Sequence, residues 1–198
     1  MNKKTQTINT YNNSATALAE KFNSLGARIS DIEAVFELVA KENPKVLEIG
    51  CGNRRDAEEI VKRTNDYLGI DISEKLIELA KQKVPHAQFE VADITTFEFP
   101  KNLDIVFAFA SLIHITKEEF AHVIEKMLEA LNSSGVVRIS LKYSSTYQEV
   151  TEKSEFGIRT YYHYSQADIE ELAADFTVLQ NEVHSIRGAQ WLEVVLRK

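Results

Sequence analysis

The 198-residue chain has one cysteine, no apolar run long enough to cross a membrane and no excess of basic residues. A single cysteine, Cys51, excludes an internal disulfide. The first residues, MNKKTQTINTYNNS, lack the apolar core that a signal peptide needs. We therefore expect a cytoplasmic protein that does not insert into a membrane.

The chain has more acidic than basic residues, and this excess affects which partners it can bind. The formal net charge is -7 and the isoelectric point is near 5.3, whereas a broad nucleic-acid surface needs clustered lysine and arginine. Basic pairs such as Arg54-Arg55 are short and are typical of solvated helices or loops. We expect a small molecule or a peptide as the partner rather than a nucleic acid, and the sequence leaves the oligomeric state open.

Length and composition fit one globular domain over residues 1–198. Hydrophobic residues make up 44% of the chain and charged residues 27%, which are ordinary values for a protein with a packed core. The chain has no internal repeat and no low-complexity tract. Nothing in the sequence indicates a second domain.

Hydrophobic periodicity predicts alternating helices and strands. Helices are predicted at 12–23, 29–41, 56–64, 74–82, 117–130 and 166–174. Strands are predicted at 45–49, 66–71, 87–92, 103–109, 135–142, 176–186 and 190–198. Because strands alternate with helices through most of the chain, we expect an α/β fold with a parallel sheet and helices on both faces.

The segment 143–164 differs from the rest of the chain. It has no sustained period and holds five of the seven tyrosines. Long loops at the carboxyl edge of such a sheet often carry binding function, so the segment is predicted to be an insertion on the substrate side. Alternation along an edge strand would explain the same residues without any function.

The most informative segment is VLEIGCGN at residues 46–53. Its apolar run suits a strand that is buried on both faces, and Gly50 and Gly52 let the backbone turn sharply beside a ligand. A helical pattern follows the turn, and Asp71 stands 21 positions after Gly50. An acid at about this distance suits the ribose hydroxyls of a nucleotide.

Two details distinguish this turn from a dinucleotide fingerprint. The fingerprint needs a third glycine at position 55, where the chain has Arg55, and it requires no acid at the position of Glu48. Cys51, inside the turn, is interpreted as a small residue whose backbone matters, and a catalytic thiol is the less favoured reading.

The acid-x-Gly-x-Gly spacing of Glu48, Gly50 and Gly52 is followed by YLGIDIS at 67–73, VADI at 91–94 and LDIVFAFASLIHI at 103–115. In this order the segments resemble class I S-adenosylmethionine-dependent methyltransferases, from about residue 11 to the C-terminus. The resemblance implies a Rossmann-like, doubly wound sheet of seven strands, mostly parallel, with an antiparallel C-terminal hairpin strand. It also implies S-adenosylmethionine as cofactor, methyl transfer to O or N of a small-molecule acceptor, and a helical cap over residues 1–42.

The same resemblance assigns cofactor contacts to particular positions. The turn of Gly50, Cys51 and Gly52 would face the amino-acid and ribose portion of the cofactor, with Glu48 near its amino group. Asp71 would accept both ribose hydroxyls, while a cap or turn role is the alternative for each acid. The further cofactor positions are Ile72, Asp93 and Ile94 around the adenine, Phe109, Ala110 and Ser111 at the methionine portion, and Tyr11 before the first helix, where a hydrophobic staple is the alternative.

Acceptor-side candidates follow the fourth strand and the tyrosine-rich segment. His114 is a candidate general base, because imidazole titrates near neutral pH, although a histidine here can also be structural. The candidate acceptor-binding residues are Tyr143, Tyr161, Tyr162, His163 and Tyr164. No aspartate pair with a following asparagine stands at the strand ends, so we expect chemistry without a metal.

Arg54 departs from the family pattern, which commonly has a third glycine at that position. An arginine there would either crowd the carboxylate of the cofactor or pair with it. Crowding would favour a second hypothesis, a non-catalytic protein that binds the cofactor as a sensor or scaffold. A third hypothesis, a nicotinamide-dependent oxidoreductase, is disfavoured by Arg55 and by the predicted terminal hairpin.

Overall fold

The structure is a computed structural model that describes residues 2–198. Its N-terminal part consists of three helices, α1 (Lys3–Asn13), α2 (Ala15–Ser24) and α3 (Ile29–Val39). The side chain of Asn2 caps α1 by accepting a hydrogen bond from the backbone of Thr5. The sequence pattern placed the first helix at 12–23, and this was wrong: Tyr11 lies inside a helix rather than before one.

Helix α1 lacks an apolar stripe, which is why periodicity does not reveal it. Its buried residues are the threonines Thr7 and Thr10. Thr7 Oγ1 accepts a hydrogen bond from the backbone N–H of Thr160 at 3.0 Å, and Thr10 Oγ1 donates to the carbonyl of Ile158 at 2.7 Å. Tertiary hydrogen bonds therefore hold this helix in place, and they leave no trace in local sequence.

Five parallel strands form the centre of the sheet, in the order β3-β2-β1-β4-β5. They are β1 (Val46–Ile49), β2 (Tyr67–Asp71), β3 (Gln88–Val91), β4 (Leu103–Phe109) and β5 (Leu131–Tyr143). Every residue of β1 and β4 is buried, as expected for strands covered on both faces. The connecting helices are α4 (Ala57–Ile60), α5 (Glu74–Lys83) and α6 (Lys117–Ala130), with a 3₁₀ turn at Leu112–His114.

The C-terminal part completes the predicted seven-stranded sheet. Helix α7 (Gln166–Leu172) leads into β8 (Thr177–Ile186) and β9 (Ala189–Arg197). Strand β9 lies antiparallel beside β5, and β8 pairs with β9. The Rossmann-like α/β fold with an antiparallel terminal hairpin is therefore confirmed.

Two further strands bring the sheet to nine. Residues 148–164 form a hairpin of β6 (Gln148–Ser154) and β7 (Gly157–Tyr164), and β7 pairs in parallel with the end of β5. The expectation of a long loop was wrong, and alternation along a strand, the alternative for the same tyrosines, holds for β7. Strand β6 is polar and exposed on both faces, so it carries no period-2 apolar signal.

Helix lengths differ from prediction at several places, and α3 ends at Val39, two residues before the predicted end. Helix α6 has the predicted bounds, and Thr116 and Glu119 form a capping box at its start. Helix α4 is much shorter than the predicted 56–64, because the Asp56 side chain does not cap it and the Thr64 hydroxyl donates to the carbonyl of Pro44 at 2.6 Å. Helix α7 ends two residues early, at Leu172. Within residues 2–198, no helix is long and apolar enough to cross a membrane.

Candidate functional site

A cavity of about 440 Å³ lies at the carboxyl edge of the parallel strands, where ligands bind in open α/β sheets. The loops after β1, β2, β3 and β4 border it, and α1 and β7 contribute to its wall. The predicted site residues on its lining are Tyr11, Gly50, Cys51, Gly52, Asp71, Ile72, Asp93, Ile94, Phe109, Ala110, Ser111, His114 and Tyr161. Glu48, Arg54, Tyr143, Tyr162, His163 and Tyr164 do not line it.

Both glycines of the turn have a positive φ, a conformation that other residues rarely adopt. Gly50 has φ +72°, and a Cβ there would lie 2.2 Å from Cβ of Ser111. Gly52 has φ +57°, and a Cβ there would meet no atom within 4 Å. Gly50 thus permits close packing of two loops, whereas Gly52 leaves open space beside the backbone for a ligand.

Asp71 is joined directly to this turn. Its carboxylate accepts hydrogen bonds from the backbone N–H of Gly52 at 2.9 Å and from that of Ser73 at 2.8 Å. Burial raises the pKa of Asp71, and these backbone donors partly offset the effect. A carboxylate offers about four lone-pair sites, so the group can still accept a ligand hydroxyl.

Asp93 lies at another part of the cavity wall and contacts α1. Its carboxylate pairs with Nζ of Lys4 at 2.7 Å and accepts from the backbone and hydroxyl of Thr95. Burial alone would raise the pKa of Asp93, but the hydrogen bonds from Lys4 and Thr95 outweigh it and hold the pKa below its usual value. The carboxylate is therefore ionised at neutral pH, and Lys4 ties the N-terminal helix to it.

Glu48 and Cys51 are both buried beside the turn. Oε2 of Glu48 accepts a hydrogen bond from the Tyr67 hydroxyl at 2.5 Å, and burial raises the pKa of Glu48 to about 8, with Asp56 adding to the shift. Burial also raises the pKa of Cys51 well above its usual value, so its thiol stays protonated. Neither side chain is a nucleophile at neutral pH.

Arg54 follows the glycine turn in a strained backbone conformation, with φ +93°. Its guanidinium pairs with Glu58 one helical turn later. The side chain is absent from the cavity lining. Neither of the two outcomes expected from the sequence, crowding or pairing with a cofactor carboxylate, has a direct geometric basis in this conformation.

His114, Tyr11 and Thr160 form a hydrogen-bonded chain at the far side of the cavity. Nδ1 of His114 lies 2.7 Å from the carbonyl oxygen of Thr160, and Nε2 lies 2.8 Å from the Tyr11 hydroxyl. Burial lowers the pKa of His114 to about 4, with Arg159 and Lys142 adding to the effect. The imidazole is thus neutral near pH 7, with both nitrogens occupied.

Strand alternation decides which tyrosines reach the cavity. Along β7, Arg159 and Tyr161 point toward it, since side chains two positions apart share a face. Tyr162 and Tyr164 point the other way into the apolar core, where the Tyr164 hydroxyl donates to the carbonyl of Ile115 at 2.9 Å. Tyr143 lies outside the cavity wall.

Several cavity residues were missed from the sequence. The most consequential are the cations Arg28, Lys142 and Arg159 and the indole of Trp191. The Arg28 guanidinium binds Asp56 at 2.7 Å and lies 4.8 Å above the ring of Phe109. Only the position of Lys142 at the end of a predicted strand gave a signal that it lies at the carboxyl edge.

The part of the chain that the structure describes has no group of three His, Cys, Asp or Glu side chains that could hold a metal ion. Charged side chains of both signs line the cavity. Asp71 lies at the end of β2, and Asp93 follows β3. Lys142 and Arg159 lie on the part of the cavity wall that β5 and β7 form. Such a site can hold a polar, nucleoside-like ligand at one end and a second molecule at the other.

Comparison with known proteins gives matches to methyltransferases. A family model described as a methyltransferase domain matches residues 46–135. A trans-aconitate 2-methyltransferase of Variovorax paradoxus (strain S110) is 31% identical over 113 residues, which are 53% of this chain and 42% of the relative. A dTDP-3-amino-3,4,6-trideoxy-alpha-D-glucopyranose N,N-dimethyltransferase of Streptomyces venezuelae is 26% identical over 113 residues, or 56% of this chain and 48% of the relative. The match thus spans less than half the length of both relatives.

A solved structure is similar over the whole chain. Magnesium protoporphyrin IX methyltransferase from Synechocystis PCC 6803, crystallised with bound SAM, aligns with a TM-score of 0.74 at 18% identity, covering 100% of this chain and 98% of that one. The segment matched by the family model begins at β1 and contains the glycine turn, Asp71 and Asp93. Residues 46–135 are thus similar to a methyltransferase domain, and the whole chain has the fold of this solved methyltransferase.

Proposed function

We propose that the protein transfers a methyl group from S-adenosylmethionine to an O or N atom of a small-molecule acceptor. The observation that carries the proposal is the link between Asp71 and the glycine turn, where the carboxylate accepts the Gly52 N–H inside the cavity. This arrangement places an acid for ribose hydroxyls beside open backbone. The match to a methyltransferase domain and the neighbour crystallised with SAM support the same cofactor.

The residues present fit S-adenosylmethionine. The space beside Gly52 would hold the amino-acid portion of the cofactor, Asp71 would accept its ribose hydroxyls, and Asp93 would accept its adenine amine. The hydroxyl of Ser111 is buried at the cavity wall and has no hydrogen-bond partner in the described structure. It is therefore available to form a hydrogen bond with a polar group of the cofactor. When bound, the cofactor supplies an already activated methyl group, and the protein must chiefly position the acceptor and exclude water.

The acceptor enters beside Tyr11, His114 and Tyr161 in this proposal. Helix α1 and the β6–β7 hairpin cover this side of the cavity, which keeps water from the reacting atoms. His114 holds the Tyr11 hydroxyl in one orientation and acts as a positioning residue or, with its pKa near 4, as a weak base. We also propose that residues 1–198 work as one methyltransferase domain in the cytoplasm.

The experiment is a transfer assay with labelled S-adenosylmethionine and a panel of small carboxylates, phenols and amines. We expect labelled product from at least one acceptor class, and His114→Ala to reduce the turnover. Tight binding of the cofactor without transfer to any acceptor would instead support the non-catalytic sensor or scaffold. A parallel calorimetric titration with NAD tests the oxidoreductase, which requires NAD binding.

A further inference from the structure

Arg159 is one of the cations that line the cavity. Three arginines line the cavity, and two of them, Arg28 and Arg55, pair with Asp56. Within residues 2–198, no carboxylate pairs with Arg159. Its guanidinium lies 5.6 Å from the ring centroid of Tyr11 and 5.4 Å from that of Tyr161. A partly buried guanidinium that no protein acid neutralises favours an anionic ligand.

Lys142 adds a second positive charge to the same wall. Its Nζ lies 4.2 Å from the ring centroid of Tyr161, the ring that Arg159 also contacts. Lys142 pairs with Glu152 at 3.3 Å, and Glu152 is opposite Arg159 in the β6–β7 ladder. Two cations and one carboxylate leave a net charge of about +1 on this wall, which one carboxylate of a ligand would neutralise.

The surroundings of these cations indicate a small ligand with a planar or apolar body. The rings of Tyr11, Tyr161 and Trp191 line the same end of the cavity. Asp71 and Asp93 lie elsewhere on the lining, at the ends of β2 and β3. The two cations are thus separate from the acids that suit the nucleoside of the cofactor.

We infer that Arg159 and Lys142 form a subsite for the carboxylate of a small anionic acceptor. The inference rests on the proposed function, because it concerns the acceptor side of the same cavity. Arg159 supplies a planar pair of N–H donors that matches a carboxylate, and Lys142 supplies a point charge shared with Glu152. Arg159 is therefore the stronger of the two determinants.

The test is a calorimetric titration of the wild-type protein, loaded with S-adenosylhomocysteine, with two carboxylates and their neutral counterparts. The pairs are 4-hydroxybenzoate with 4-hydroxybenzamide, and trans-aconitate with its trimethyl ester. We expect at least one carboxylate to bind about tenfold or more tightly than its counterpart, the effect of a charge-assisted hydrogen bond. Arg159→Met should abolish this preference, Lys142→Met should reduce it less, and Arg159→Lys should retain part of it.

A matched control separates the subsite from a general effect of charge. Lys153 is an exposed lysine of the same hairpin outside the cavity wall, so Lys153→Met should leave carboxylate binding unchanged. Affinity for S-adenosylhomocysteine should stay within about twofold in all four variants, and thermal melts report whether each variant is folded.

Three outcomes overturn the inference. They are carboxylates that bind no better than their neutral counterparts, an equal loss in Lys153→Met, and a loss of S-adenosylhomocysteine affinity in Arg159→Met, which would assign Arg159 to the cofactor. The titrations are repeated without S-adenosylhomocysteine. A wild-type protein that binds the carboxylates but not S-adenosylhomocysteine would contradict the proposed function and leave the anion subsite in place.

Discussion

The hydroxyl of Tyr11 lies 2.8 Å from Nε2 of His114, across a separation of 103 residues in the chain. The other ring nitrogen, Nδ1, faces the carbonyl oxygen of Thr160 at 2.7 Å. Because a carbonyl can only accept, Nδ1 carries the proton and Nε2 accepts from the tyrosine hydroxyl. The backbone of β7 therefore orients the ring of His114, and the ring in turn orients the hydroxyl of Tyr11.

We expect Tyr11 and His114 to act together in a double-mutant cycle. Tyr11→Phe and His114→Ala should each lower kcat by about tenfold or more, and the double variant should be little worse than the worse single variant, because each change breaks the same contact. Steady-state kinetics with a saturating acceptor measure this coupling. Independent contributions would multiply in the double variant and contradict a shared role.

The pH dependence of kcat separates positioning by His114 from general-base catalysis near neutral pH. Burial lowers the pKa of His114 to about 4, so its protonation should not limit turnover between about pH 5.5 and about pH 8. An inflection near pH 6.5 that disappears in His114→Ala would show that the histidine titrates in the working enzyme, and would contradict this prediction.

Tyr161 and Tyr162 are adjacent in sequence but face opposite sides of β7. Tyr161 lines the cavity, whereas Tyr162 stacks on Tyr147 with ring centroids 6.0 Å apart. Tyr161→Leu should therefore raise the KM of the acceptor by about fivefold or more, as expected for loss of one aromatic contact. Tyr162→Leu is the matched control, and it should lower the melting temperature with little change in KM. The same rise in KM for both variants would show that the effect comes from folding.

Arg54→Gly tests whether the departure from the family pattern impairs the site. The backbone at Arg54 has φ +93°, a strain of about 1–3 kcal/mol that glycine would relieve. Greater entropy of the unfolded chain offsets about 0.5–1 kcal/mol of this gain. We expect a net stabilisation of about 1 kcal/mol in denaturant unfolding, and an unchanged affinity for S-adenosylmethionine. A tenfold change in affinity, in either direction, would show that Arg54 reaches the cofactor.

Glu48 should make stability fall as pH rises. Burial raises its pKa in the folded protein to about 8, above the ordinary value of about 4.3 in the unfolded chain. Between these values the unfolded state releases a proton that the folded state retains, so unfolding becomes easier with increasing pH. Glu48→Gln has a side chain of similar shape that does not titrate. The variant should be more stable than wild type near pH 8 and equally stable near pH 4.5. Unfolding curves at both values measure the difference, and parallel pH profiles would contradict it.

Local sequence patterns predicted the central sheet and the glycine turn because those features depend on nearby residues. The buried runs of β1 and β4 are apolar throughout, and the capping box of α6 lies within four residues. The separation of Gly50 from Asp71 likewise follows from one βαβ unit, whose geometry brings the acid to the turn. Such features can be predicted because they depend on residues that are close in the sequence.

The acceptor side depends on pairings between distant segments, and it was predicted less well. Lys142 and Arg159 meet because β7 pairs with the end of β5, and no local pattern encodes that register. Helix α1 is held by threonine hydrogen bonds rather than by an apolar stripe. Spacing placed Glu48 near the turn, but it did not reveal that its carboxyl group points to Tyr67. Side-chain direction at such positions follows from packing that the sequence does not display.

The central claim is that Asp71 and the glycine turn hold S-adenosylmethionine, and calorimetric titration with S-adenosylhomocysteine tests it most directly. The wild-type protein should bind one equivalent, and Asp71→Asn should bind about tenfold or more weakly, because charge-assisted hydrogen bonds to the ribose are lost. Asp175→Asn, a change at an exposed carboxylate, is the control and should bind like wild type. Equal affinity in folded Asp71→Asn, or no binding of S-adenosylhomocysteine by the wild-type protein, would contradict the account.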